Sequence, residues 1–168
     1  MPPPTPALDP ALWHAWRTAS ALPAVHEELR DLYARLAADI AARSPTCWIS
    51  GKCCKFDSYG HLLYVTGLEI AWLIRQLPPE GEQRLRDAVI PSDGCPFQVT
   101  GLCGVHAIRP LGCRIYFCDP AAQSWQNPVY ETFLTELRQL HDRHGLDYRY
   151  MEWRSGLAET RTTIMLAP

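Results

Sequence analysis

Between Ala24 and Arg43 the apolar residues Val25, Leu29, Leu32, Tyr33, Leu36 and Ile40 recur at steps of three and four. That spacing predicts one amphipathic helix with a single inward stripe. Ser44-Pro45 should end it, because a residue before proline avoids the helical region. Upstream, Asp9-Pro10 pairs an N-cap type with proline at a first helical position, opening a shorter helix with Leu12, Trp13 and Trp16 that should pack as a flap. His61 to Val65 is short and partly β-branched, as a strand would be. Thr66 and Glu69 then have the spacing of a capping box ahead of a buried helix from Gly67 to about Leu77. Pro78-Pro79 breaks that helix, and Glu80 to Ile90 reads as a more exposed one with Leu85, Ala88 and Val89 inward.

From Pro91 to Pro120 the pattern changes in kind. Prolines and glycines recur so often that regular structure must be short, with a hairpin expected around Thr100-Gly101. Pro128 then opens a C-terminal helix with Tyr130, Phe133, Leu134, Leu137 and Leu140 along one face and Gly145 at its stop. Tyr148, Tyr150 and Trp153 suit a final strand. The expected fold is therefore α-rich α+β: one domain over residues 1–168, several helices, minor β structure and irregular cysteine-bearing loops. Residues 1–8 form an extended leader, and residues 47–118 form the cysteine-bearing core.

Composition narrows the function classes more than it refines the fold. The 168 residues, 47% hydrophobic and 20% charged, suit one folded domain, and a net charge of −2 supplies no field for nucleic acid or an anionic membrane. The N-terminal residues lack the basic start and apolar run of a signal peptide, and the apolar run from Ile70 to Ile74 is too short to span a bilayer. A reducing cytoplasm is the expected compartment. Seven cysteines there point to metal or redox chemistry rather than a disulfide framework, and an odd count would strand one thiol.

Those cysteines fall in two groups: Cys47, Cys53 and Cys54 after the long helix, and Cys95, Cys103, Cys113 and Cys118 in the proline- and glycine-rich stretch. Thiolates are soft donors that suit zinc and iron–sulfur clusters, and one centre can draw ligands from separate loops if the chain turns tightly. The segment Cys47-Trp48-Ile49-Ser50-Gly51-Lys52-Cys53-Cys54, the helix entry Val65-Thr66-Gly67-Leu68-Glu69-Ile70, then Cys95-Pro96-Phe97, Cys103 and Arg109-Pro110-Leu111-Gly112-Cys113 through Cys118 carry a resemblance. Together they resemble the YkgJ-type cysteine-cluster family, a zinc- or iron-chelating domain with the pattern CxxCxxCC. The resemblance implies a metal ion as partner and a centre drawn from these seven cysteines. Ser50 stands where the family pattern has its second cysteine.

Seven thiols exceed one tetrahedral site and fall short of two. His106, three residues after Cys103, is the expected extra ligand, and Asp119 is read as a turn residue before Pro120. Arg109 and Arg114 flank Cys113, placed either to offset thiolate charge or to hold an anionic cofactor or substrate. His141 and His144 read as a solvated helix face, and the six tryptophans as core or lid residues. Two function classes follow: a module that chelates zinc or an iron centre, or an iron enzyme whose incomplete ligand set leaves a position open to a substrate.

Overall fold

The computed structural model describes residues 7–77, 81–91 and 93–167. Their chain order is helix α1 (Pro10–Ala21), α2 (Pro23–Arg43), the short α3 (Phe56–Tyr59), strand β1 (Tyr64–Thr66), α4 (Gly67–Gln76), α5 (Gly81–Asp87), strands β2 (Gln98–Val99) and β3 (Leu102–Cys103), α6 (Leu111–Ile115), α7 (Gln123–Arg143), β4 (Tyr150–Glu152) and α8 (Trp153–Leu166). The architecture is α-rich, with two small antiparallel sheets, β1–β4 and β2–β3. The buried apolar side chains make one continuous cluster that runs from Leu8 to Ile164.

The capping box at Thr66 forms as expected, with Glu69 N–H donating to Thr66 Oγ1 and Thr66 N–H donating to Glu69 Oε2. The helix it opens, α4, is buried along nearly its whole length. The stripe on α2 is buried from Val25 to Leu36, and Ser44 closes that helix in the left-handed region at φ 48°. Thr100 and Gly101 both have positive φ, the backbone of a tight two-residue hairpin turn, so β2 and β3 pair where a hairpin was expected.

Several expectations need correction. Helix α1 is not a flap: Trp16 is fully buried, and its ring lies so close to the start of α4 that a Cβ on Gly67 would sit 2.1 Å from it. Leu8, assigned to the leader, is a core residue whose carbonyl accepts from Thr163 on α8; residues 1–6 of that leader, and Pro78-Pro79, lie outside the described residues. Helix α7 starts five residues before Pro128. Asp119 caps a 3-10 turn over Pro120–Ala122 that feeds the helix, the same Asp-Pro device as at Asp9. Val89 points to solvent although Leu85 is buried. His141 is fully buried rather than solvated, with Nδ1 donating to the Asp147 carbonyl, and His144 meets Glu28. Tyr148 and Trp153 fall outside the final strand. Trp153 instead begins α8, whose residues Trp153, Leu157, Thr160 and Ile164 turn inward at helical spacing.

Candidate metal centre

Cys53 and Cys54 sit in a single 3-10 turn closed by Cys54 N–H to the Gly51 carbonyl at 3.2 Å. The turn is strapped to the β2–β3 hairpin. Cys95 N–H donates to the Cys54 carbonyl at 2.9 Å, and Gln98 Nε2 donates to the Gly51 carbonyl at 3.0 Å. Gly51 has φ 69°, and a Cβ there would lie 2.3 Å from the Gly101 carbonyl oxygen, so this seam needs glycine on both counts. Two cysteine groups more than forty residues apart in sequence are thereby held on one side of the fold.

The third component is α6, which carries Cys113. Its leading N–H, from Leu111, donates to Glu69 Oε1 at 2.8 Å. Glu69 is fully buried and also accepts from Tyr33 at 3.0 Å, from Thr66 N–H at 2.8 Å and from the Thr66 hydroxyl at 3.2 Å. One carboxylate therefore joins α2, α4 and α6. Burial raises its pKa above the usual carboxylate range, while the donors from Thr66, Leu111 and Tyr33 pull the other way.

Cys53, Cys54, Cys95, Cys103 and Cys113 all line one cavity of about 210 Å³. Hydrogen bonding from Cys54 lowers the Cys53 and Cys103 thiols to about 6 each, against the opposing effect of burial, and lowers Cys95 as well. Cys54 is raised by its interactions with Cys103, Cys53 and Cys95 and by burial. Cys113 is raised by burial and then by the neighbouring Cys95 and Cys103 sulfurs. Cys95 accepts a further bond from Trp153 Nε1 at 3.3 Å, fully inside the protein. All seven cysteines are free thiols.

The other sequence candidates divide. Arg109 lines the cavity, whereas Arg114 is committed elsewhere: its guanidinium donates to the Arg109 and Ala107 carbonyls and lies 4.1 Å over the Tyr33 ring. His106 is exposed on a 3-10 turn and is absent from the cavity wall. Cys47 is exposed and Cys118 half-buried; a Thr46 N–H bond to Asp119 links their segments, and neither lines the cavity. Ser50 is exposed, its hydroxyl accepting from Lys52 N–H in the turn. Among the described residues, no group of three or more histidine, cysteine or carboxylate side chains stands ready to hold a metal ion.

His61 is the cavity residue that sequence reasoning passed over. Its Nε2 donates to the Cys53 carbonyl at 3.2 Å, its ring stacks on Tyr116 at 4.6 Å, and Phe56 meets it edge-on. Counting it as a strand residue hid the one available signal, a histidine seven positions after Cys54.

Comparison with protein-family models, with curated proteins and with solved structures finds no match to this chain. Among the described residues, no helix is long and apolar enough to cross a membrane.

Proposed function

We propose that this chain is a cysteine-cluster metal-binding protein that chelates zinc or an iron centre, including an iron–sulfur cluster, as its resemblance to the YkgJ-type family implies. The observation that carries the reading is the convergence of Cys53, Cys54, Cys95 and Cys103, as free thiols from two distant segments, on the wall of one cavity. Several thiols facing one cavity gain little from packing alone, and a soft cation that displaces their protons would bind them. The donor chemistry fits such an ion. Binding would draw deprotonated sulfurs around the metal, with Trp153 Nε1 holding Cys95 from behind as outer hydrogen bonds commonly do. A reducing cytoplasm would keep these thiols available.

A second reading, an iron enzyme with an open position, draws its support from the cavity, because a purely structural thiolate site is normally closed. A bound iron centre would supply Lewis-acid or redox chemistry there, and this chain's residues would shape and desolvate the approach to it.

Elemental analysis and visible spectra of protein purified without oxygen test the main reading. Wild type is expected to carry about one equivalent of zinc or an iron centre, and Cys54→Ser and Cys103→Ser to lose most of it while Cys47→Ser keeps it. Folded, metal-free wild type from both aerobic and anaerobic preparations would sink the proposal.

A further inference from the structure

Folded proteins leave very few buried polar atoms without a hydrogen bond, so each exception asks for an explanation. Among the described residues the exceptions are His61 Nδ1, Arg109 Nε, His141 Nε2, Tyr148 Oη and Thr160 Oγ1. His61 and Arg109 both line the thiol cavity, and the other three do not. The cavity pair is complementary. A carbonyl only accepts, so the bond from His61 to Cys53 places the ring hydrogen on Nε2 and leaves Nδ1 as a bare acceptor. Arg109 Nε is a bare donor, and although the Arg109 charge favours the thiolate forms of Cys53 and Cys103, no carboxylate among the described residues lines the cavity to bond it.

The remaining surroundings narrow the ligand further. Gln126 Oε1 already accepts from Phe117 N–H, which leaves its amide nitrogen as one more donor in the wall. Tyr116, Tyr130 and Trp153 add aromatic surface to the lining, suited to packing a ring. An apolar cavity of about 150 Å³ can already accept benzene, so the volume of about 210 Å³ leaves room for a single substituted ring.

We propose that this cavity binds a small aromatic carboxylate that also bears a hydrogen-bond donor. Its anionic group sits on Arg109, its donor on His61 Nδ1, and its ring against the tyrosines and Trp153. The inference goes beyond metal chelation and is argued from cavity residues other than the thiols. A metal held by the thiols would place the ligand beside it.

Calorimetry and ligand-observed NMR on the full chain, with metal content measured on the same sample, test this with 2-, 3- and 4-hydroxybenzoate as probes. Benzoate lacks the donor, and the hydroxybenzamides lack the charge. At least one hydroxybenzoate isomer is expected to bind about tenfold or more tightly than benzoate and than its own amide, the effect of one charge-assisted hydrogen bond. Arg109→Gln should remove the preference for carboxylate over amide, and His61→Phe the preference for hydroxyl. The wild-type series needs no variant, so misfolding of either cannot rescue the idea. Absence of binding by every probe, equal affinity for acid and amide, or an acid preference that survives in folded Arg109→Gln would each overturn it. Wild type that is metal-free from both aerobic and anaerobic preparations and still shows the hydroxybenzoate preference would support this site while refuting the chelation reading.

Discussion

Glu69 offers a sharp test of how the fold positions the cysteines, because each of its two oxygens serves one backbone N–H and one hydroxyl. Oε2 takes Thr66 N–H and Thr66 Oγ1; Oε1 takes Leu111 N–H and Tyr33 Oη. In Glu69→Gln, either orientation of the amide sets its NH2 against one of those pairs. The hydroxyl can turn and accept, but the backbone N–H cannot. One buried N–H is therefore stranded, a loss of about 1–3 kcal/mol. Glu69→Ala strands both N–H groups and opens a void as well, roughly 3–6 kcal/mol, which is comparable with the whole stability of many domains. Urea unfolding followed by circular dichroism would read this as a lower midpoint at unchanged slope. Glu69→Ala releases Leu111 as well as Thr66 and should loosen α6, so Cys113 should react faster with a maleimide in that variant than in wild type. A Gln variant within about 0.5 kcal/mol of wild type would refute the hydrogen-bond accounting. A destabilised but folded Glu69→Ala variant with unchanged Cys113 labelling would refute the positioning role.

Three further outcomes are expected. Ser50→Cys should leave chelator-driven metal loss and the visible spectrum unchanged, since Ser50 is an exposed turn residue; slower loss would restore the vacant-ligand idea. Trp153→Phe keeps an aromatic ring but deletes the N–H bond to Cys95 together with some buried volume, so it should speed metal release about tenfold, and equal rates would show that bond to be idle. His141 has its pKa lowered from 6.5 by burial, with the Asp147 and Leu146 backbone opposing. The folded state then binds fewer protons than the unfolded one, so its share of stability is present above about pH 6.5 and lost as pH falls below that. His141→Asn should flatten this part of the stability–pH curve between pH 7.5 and 5, and an unchanged slope would contradict the assignment.

Features written in local spacing were legible from the sequence. The α2 stripe, the Thr66–Glu69 capping box and the Thr100-Gly101 hairpin each depend on residues within a few positions of one another, and each is found where it was expected. Helix α8 was not legible: it carries Thr160, Thr162 and Thr163, residues of modest helix propensity, and it exists because Trp153, Leu157 and Ile164 bury against the rest of the core. Pro128 misled for the opposite reason. Proline marks a first turn often enough to suggest a start, yet α7 accepts it in its interior because the upstream Asp119 cap and the 3-10 turn have already begun the helix.

The candidate site divides along the same line. Residue type alone picks out the thiols, and the glycines and prolines around them announce tight loops, but neither says which sulfurs meet. That choice is made by long-range bonds. Cys95 N–H to the Cys54 carbonyl and Gln98 to Gly51 bring Cys53, Cys54, Cys95 and Cys103 to one cavity, while Thr46 to Asp119 joins the Cys47 and Cys118 segments beyond its lining. The exchange of His106 for His61 follows from the same physics. His106 is the nearer histidine in sequence to Cys103, but its short turn faces solvent, whereas His61 is locked by Tyr116 and by the carbonyl of a cysteine. Arg109 and Arg114 differ likewise: Arg114 is consumed by two backbone carbonyls and a tyrosine face, and that arrangement frees Arg109 to face the cavity. Sequence proximity to a cysteine therefore picks out the cavity's polar residues poorly in this chain. The better criterion is a polar atom whose backbone and side-chain neighbours leave it buried with nothing to bond.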